Sequence, residues 1–134
     1  MYDIYYAHHQ WKYNTDTELY ELDLIRRYFQ NATIFNPSKD LKTPKEYFTS
    51  QEQRKEAIME ECLETVRNSD FLIFSSLDGT IGEGVYREVE EAKKAGKLVL
   101  YIFQDTLHAN FNIVKRTDGG QTNRLYAFVD LDLW

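Results

Sequence analysis

The residues best suited to chemistry lie in one stretch, residues 78–97, "DGTIGEGVYREVEEAKKAGK". It sits between two apolar runs and reads as a glycine-rich turn that opens a helix. At about 100° per residue, Val85, Val89 and Ala92 share a narrow arc and are expected to face a sheet. Arg87, Glu90 and Lys94 point away from it. Glu88 falls roughly 60° from the centre of that arc, on the flank of Ala92 and Ala95. In the first turns of a helix, near its positive dipole end, it is expected to be half-buried and ionised, facing the strand ends. Two readings fit it: a carboxylate held at a site, or a boundary glutamate that reaches water or pairs with a lysine. Glu83, Glu90 and Glu91 read as a solvated face, with Glu90 and Lys94 spaced as a helical pair.

The turn carries Gly79, Gly82 and Gly84, flanked by Asp78 and Glu83. Such a turn lets backbone N–H groups approach a phosphate or a sugar at a helix start. It matches neither the Walker pattern nor the dinucleotide Gly-x-Gly-x-x-Gly. Glycines that only shape a tight connection are the alternative. A second candidate is "AHHQW", where the imidazoles of His8 and His9 suit phosphate binding or proton donation. One cysteine, Cys62, and three histidines show no structural-zinc spacing, and no metal or organic cofactor is indicated.

These residues must be positioned by an alternating chain. "YDIYYA" reads as a β-branched and aromatic strand. In "NTDTELYELDLIRRYF", Leu19, Leu22, Leu24, Ile25 and Tyr28 recur at near-helical spacing, with Thr15 or Asp16 as cap. "ATIFN" is a short strand, and residues 36–50 read as a long, turn-rich loop. Residues 50–69 form a helix capped by Ser50, with Ala57, Ile58, Cys62, Leu63 and Val66 as its apolar stripe. "DFLIFSSL" and "KLVLYIF" read as strands buried on both faces, and Gly96 sits where a C-terminal cap glycine belongs. Residues 104–124 read as polar and irregular, with "TDGGQTN" a turn signal, and "RLYAFVDLDLW" as a final strand. This order implies an α/β fold: one domain, residues 1–134, with a mostly parallel doubly wound (flavodoxin/Rossmann-like) sheet of about five strands and helices on both faces. In such sheets ligands bind beyond the carboxyl ends of the strands.

Composition narrows the function classes. The chain has 134 residues, 43% hydrophobic and 15% aromatic, enough to fill one core. Its net charge of −6 argues against phosphate-backbone binding, so no nucleic-acid polymer is expected as partner. The small basic clusters "IRRYF" and "IVKRTDGGQTNR" could each meet a single phosphate group, though most such clusters are simply solvated. No segment reaches the ~20 apolar residues of a membrane span. The absence of a signal-like N-terminus and the single cysteine fit a cytoplasmic, reducing setting.

The residues also carry a resemblance. Asp70 opens "DFLIF"; Gly84 precedes Glu88 by four; Ala92 follows by four; Gly96-Lys97 closes the helix before "LVLYIF". With "IYYAHHQW" near the N-terminus, this resembles the nucleoside 2-deoxyribosyltransferase family, which includes the 2′-deoxynucleoside 5′-monophosphate N-glycosidases. The resemblance covers most of the chain and is densest over residues 70–103. It implies a nucleoside or nucleotide substrate, with Glu88 as nucleophile at C1′ of a deoxyribose and a covalent glycosyl-enzyme. It also implies that the Tyr5 hydroxyl orients Glu88; a half-buried strand aromatic is the other reading of Tyr5. Glycines 79, 82 and 84, Asp78, Glu83, His8 and His9 are the expected substrate-binding set.

Three positions depart from the family pattern. His8-His9 stand where a Gly and a small residue or Pro are usual. Cys62 occupies the place of a sugar-binding Asp, and Gly82 that of an Asp six residues before the nucleophile. Two other readings stand beside this one. "NSDFLIFSS", "YREVEEA" and "GKLVLYIF" also suit a TIR-like domain that cleaves NAD, and the departures suit a non-catalytic nucleotide-binding module. The aromatic end "FVDLDLW" is expected either to dock on a neighbouring subunit of a homo-oligomer or to tuck onto its own sheet.

Overall fold

The computed structural model describes residues 1–43, 50–117 and 125–131. Five strands form the main sheet: β1 Asp3–Ala7, β2 Thr33–Phe35, β3 Phe71–Ser75, β5 Leu98–Phe103 and β6 Thr106–His108. Their spatial order is β2-β1-β3-β5-β6, parallel except for the last pair. The expected mostly parallel α/β sheet is therefore present. The connection reverses direction at β1, so the β1/β3 boundary is the switch point where such sheets hold ligands.

Helix α1, Asp16–Tyr28, packs Leu22, Leu24 and Ile25 onto one face with Ile4, Tyr6, Phe71 and Ile73. Helices α3, Gln51–Asn68, and α4, Glu83–Lys94, cover the other face. There Cys62, Val66, Val85, Val89 and Ala92 meet Tyr5, Ala7, Leu72 and Phe74. Strand β3 is buried along its whole length because both faces are covered. The helix ends follow their sequence signals. Thr15 and Ser50 accept the N–H of Glu18 and Gln53 as N-caps. Gly96, at φ 73°, ends α4 with the Lys97 N–H on the Ala92 carbonyl and its own on Lys93. That paired arrangement needs a left-handed residue, which glycine adopts at little cost.

Four expectations need correction. First, residues 104–124 are not irregular where described. Gln104 and Asp105, both at positive φ, make a two-residue turn from β5 into antiparallel β6. Second, β7 Phe111–Thr117 and β8 Leu125–Leu131 form a hairpin, and β8 pairs with β4, Thr80–Gly82, inside the glycine-rich turn. This second sheet adds Ile81, Ala127 and Val129 to the core on the α3/α4 side. Third, the 36–50 segment holds a short helix, α2 Pro37–Asp40, capped by Asn36. Fourth, Leu19 and Tyr28 of α1 are exposed, at 57% and 50%, while Glu18 and Glu21 are buried. Of "TDGGQTN", Thr117 ends β7, and residues 118–123, like the terminal "DLW" at 132–134, lie outside the described residues. No helix among the described residues is long and apolar enough to cross a membrane.

Candidate functional site

Glu88 leaves the second turn of α4 on the side that meets β1 and α3. It is 5% exposed, more deeply buried than its helical position suggests. The Tyr5 hydroxyl donates to Glu88 Oε2. Tyr5 is fully buried in β1, stacked on Phe35 at 5.4 Å between ring centroids, so its hydroxyl is held in place. The Cys62 thiol of α3 lies beside both groups. Among the described residues, no cation forms an ion pair with Glu88.

The electrostatics follow from that burial. Loss of hydration pushes the Glu88 carboxyl up to about 7, against the lowering effect of the Tyr5 hydroxyl and the Cys62 thiol. The same burial, then the Glu88 charge, push the Cys62 thiol up to about 12 and hold the Tyr5 hydroxyl well above its ordinary range. Tyr13 is raised by burial and by Glu88, which places it within the field of the carboxylate. The expectation of a plainly ionised carboxylate is thus revised: burial outweighs the hydrogen bonds from Tyr5 and Cys62 and raises the Glu88 carboxyl to about 7.

The remaining candidates divide. His9 follows β1, accepts the Trp11 N–H on Nδ1 at 3.1 Å, and turns its ring toward the start of α4. A Cβ placed on Gly82 would lie 3.8 Å and 3.9 Å from His9 Cδ2 and Nε2. Gly82 is the N-cap of α4 and supplies no side-chain cap bond. Glu83 is exposed in the first helical turn, where its charge suits the dipole. Gly84 permits close approach of α3, since a Cβ there would meet the Met59 methyl at 3.4 Å. Asp78 and Gly79 form the tight turn between Leu77 and Thr80, at φ 52° and 80°, and the Gly79 carbonyl accepts from Val129. His9 and Gly82 therefore meet at the start of α4, and Tyr5 and Tyr13 lie near Glu88 in its second turn, whereas Asp78 and Gly79 shape the connection.

His8 goes elsewhere, which corrects its place among the substrate-binding residues. Strand alternation turns it to the opposite face, where it stacks on Tyr6 at 3.9 Å and bonds Glu18 Oε2 at 2.6 Å. Its side chain is wholly buried. Burial pushes the imidazole down, against the raising effect of Glu18.

Beside it lies a network that sequence reasoning missed. Lys12 Nζ donates to Glu21 at 2.9 Å, to Ser75 Oγ at 3.0 Å and to the Ser76 carbonyl at 2.7 Å. Glu21 also accepts from Tyr6 at 2.5 Å and Ser75 at 2.7 Å. All three lysine donors are used, so Lys12 ties the loop that carries His9 and Tyr13 to the end of β3. The one available sequence signal was the spacing of Glu18, Glu21, Leu22 and Ile25, a single helical face with two acids in it.

No protein-family model and no curated protein sequence matches the chain. Among solved structures it is similar to a conserved protein from Enterococcus faecalis V583, with a TM-score of 0.57 and 22% identity. The match covers 79% of this chain and 65% of that one, so the chain spans about two thirds of the length of that protein. At this identity the likeness shows the fold alone.

Proposed function

We propose that this chain cleaves or transfers at the N-glycosidic bond of a 2′-deoxynucleoside or its 5′-monophosphate. The observation that carries the reading is the buried Glu88 carboxyl, held by the Tyr5 hydroxyl at the switch point and raised to about 7. A buried carboxyl without a counter-charge costs stability, and such groups are candidates for a chemical role. The residues shared with the deoxyribosyltransferase family, from Asp70 to Gly96-Lys97, support the same assignment, with residues 1–134 as one such domain.

In the proposed reaction the ionised Glu88 attacks C1′ as the base departs, through an oxocarbenium-like transition state. Tyr5 holds Oε2, which leaves Oε1 as the attacking oxygen. Water or a second base then displaces Glu88 from C1′. The raised pKa suits this cycle, since a more basic carboxylate is a better nucleophile and still ionises near neutral pH. A homo-oligomer is part of the proposal, as the family resemblance implies.

The test incubates the protein with deoxynucleosides, their 5′-monophosphates and NAD, with and without an acceptor base, and follows free base by chromatography. Base release is expected, and its loss in Glu88→Gln. Full activity of Glu88→Gln would contradict the nucleophile assignment. Nicotinamide release alone would favour the TIR-like reading, and binding without turnover the nucleotide-binding module.

A further inference from the structure

We infer that His9 is a catalytic residue that donates an uncharged hydrogen bond from Nε2 to the departing base; this rests on the proposed N-glycosidic reaction. Nδ1 accepts the Trp11 N–H at 3.1 Å, and a ring nitrogen that accepts carries no proton. In that arrangement the single ring proton sits on Nε2. The Nε2–Cδ2 edge faces Gly82, the N-cap of α4. Glu88 lies six residues further along the same helix, roughly 9 Å of axial rise. In a nucleoside the base extends away from C1′, so its ring nitrogens and carbonyl oxygens lie further from the nucleophile than the glycosidic nitrogen does. A donor at the helix start and a nucleophile in its second turn therefore fit the two ends of one scissile unit.

On substrate binding the base takes the place of any partner that Nε2 holds in the free protein. Gly82 is part of the arrangement. A Cβ there would make only ordinary contact with the imidazole edge, at 3.8 Å and 3.9 Å, so the ring lies directly against the helix start. An aspartate there would set a carboxylate beside Nε2 and compete for its proton.

The electron count is as follows. A Glu88 lone pair forms the Oε1–C1′ bond. The C1′–N bond breaks, and its electron pair stays on the base, which leaves as an anion stabilised by the His9 N–H. In hydrolysis a water then adds its hydroxyl to C1′ and its remaining proton reaches the base, while the carboxylate of Glu88 is restored. His9 gives up no proton, so it behaves as an electrophilic donor, not as a general acid.

The test uses His9→Ala and His9→Gln with 2′-deoxyuridine and 5-fluoro-2′-deoxyuridine, whose fluorinated base leaves more easily. His9→Ala is expected to lower kcat by about 10²- to 10³-fold, the effect of removing one donor to a developing anion, with a smaller loss on the fluorinated substrate. His9→Gln retains an N–H at similar reach and is expected to stay within about 10-fold of wild type. Imidazole ¹⁵N shifts of the unliganded protein are expected to show Nε2 protonated and Nδ1 unprotonated from pH 7 to 9. A His9→Ala protein with unchanged kcat, equal losses on both substrates, or a protonated Nδ1 would overturn the inference and leave the Glu88 reading standing. Absence of base release by the wild type from these substrates, their 5′-monophosphates and the other deoxynucleosides and monophosphates would overturn both.

Discussion

Two buried polar clusters sit back to back at the carboxyl ends of β1 and β3, one on each face of the sheet. On the α1 face every acid is answered: Glu21 by Lys12, Tyr6 and Ser75, and Glu18 by His8 and the Asn14 N–H. On the α3/α4 face Glu88 meets a hydroxyl and a thiol and, among the described residues, no positive charge. The first arrangement resembles a fastening, since a paired and fully bonded buried charge fixes one geometry. The second costs stability that an apolar residue would not, and the proposed reaction gives that cost a use. The contrast lies between residues of the same type at the same depth of protein, one set paired and the other without a counter-charge.

The comparison can be broken at several points. Glu88→Ala is expected to lower base release by about 10⁴-fold or more while the chain still unfolds cooperatively; chromatography of the free base measures it. Lys12→Met leaves Glu21 buried without its cation and is expected to cost about 3–5 kcal/mol in urea unfolding. A loss no larger than that of an exposed ion pair, such as Arg27–Asp23, would show that the α1 cluster is no fastening.

Glu88→Gln should act in the opposite direction. The folded carboxyl titrates at about 7 against an ordinary 4.5. Between those values the native state keeps a proton that the unfolded chain has lost, so wild-type stability falls as pH rises through that window. Glutamine escapes the penalty and is expected to be the more stable by roughly 2–3 kcal/mol at pH 8. That advantage should vanish below about pH 4.5. Tyr5→Phe removes a bond that lowers the Glu88 pKa. Its activity is expected to fall by about 10-fold, and the acidic limb of its pH profile to move above 7, where the wild type has its own limb.

Much of this could be read before the fold was seen. Alternating apolar runs, the caps Thr15 and Ser50 and the glycine at 96 are local signals, and each is realised locally. The Val85–Val89–Ala92 arc also placed Glu88 at the edge of a buried face. What stayed hidden depends on partners distant in sequence. Glu18 and Glu21 look solvent-facing until His8 and Lys12 reach them from the β1–α1 loop. Leu19 and Tyr28 look apolar and inward, yet the two acids hold the inner face in their place. His8 and His9 are neighbours in sequence and part company because alternate strand positions face opposite sides. The Gln104-Asp105 turn lacks the glycine that usually marks such a hairpin, so β6 left no clear sign. The depth of Glu88 depends on α3 and Tyr5 closing over it, which no single helix reveals.

The central claim is that Glu88 forms a bond to the sugar. It is tested most directly by acid-quenching the protein after incubation with a 2′-deoxynucleoside bearing an arabino 2′-fluorine, which slows the oxocarbenium-like steps. Peptide mass spectrometry should then find one fluorinated pentosyl group on the peptide that contains Glu88, matched by released base and absent from Glu88→Gln. Base release with the Glu88 peptide unmodified and the pentosyl group on another residue would contradict the account.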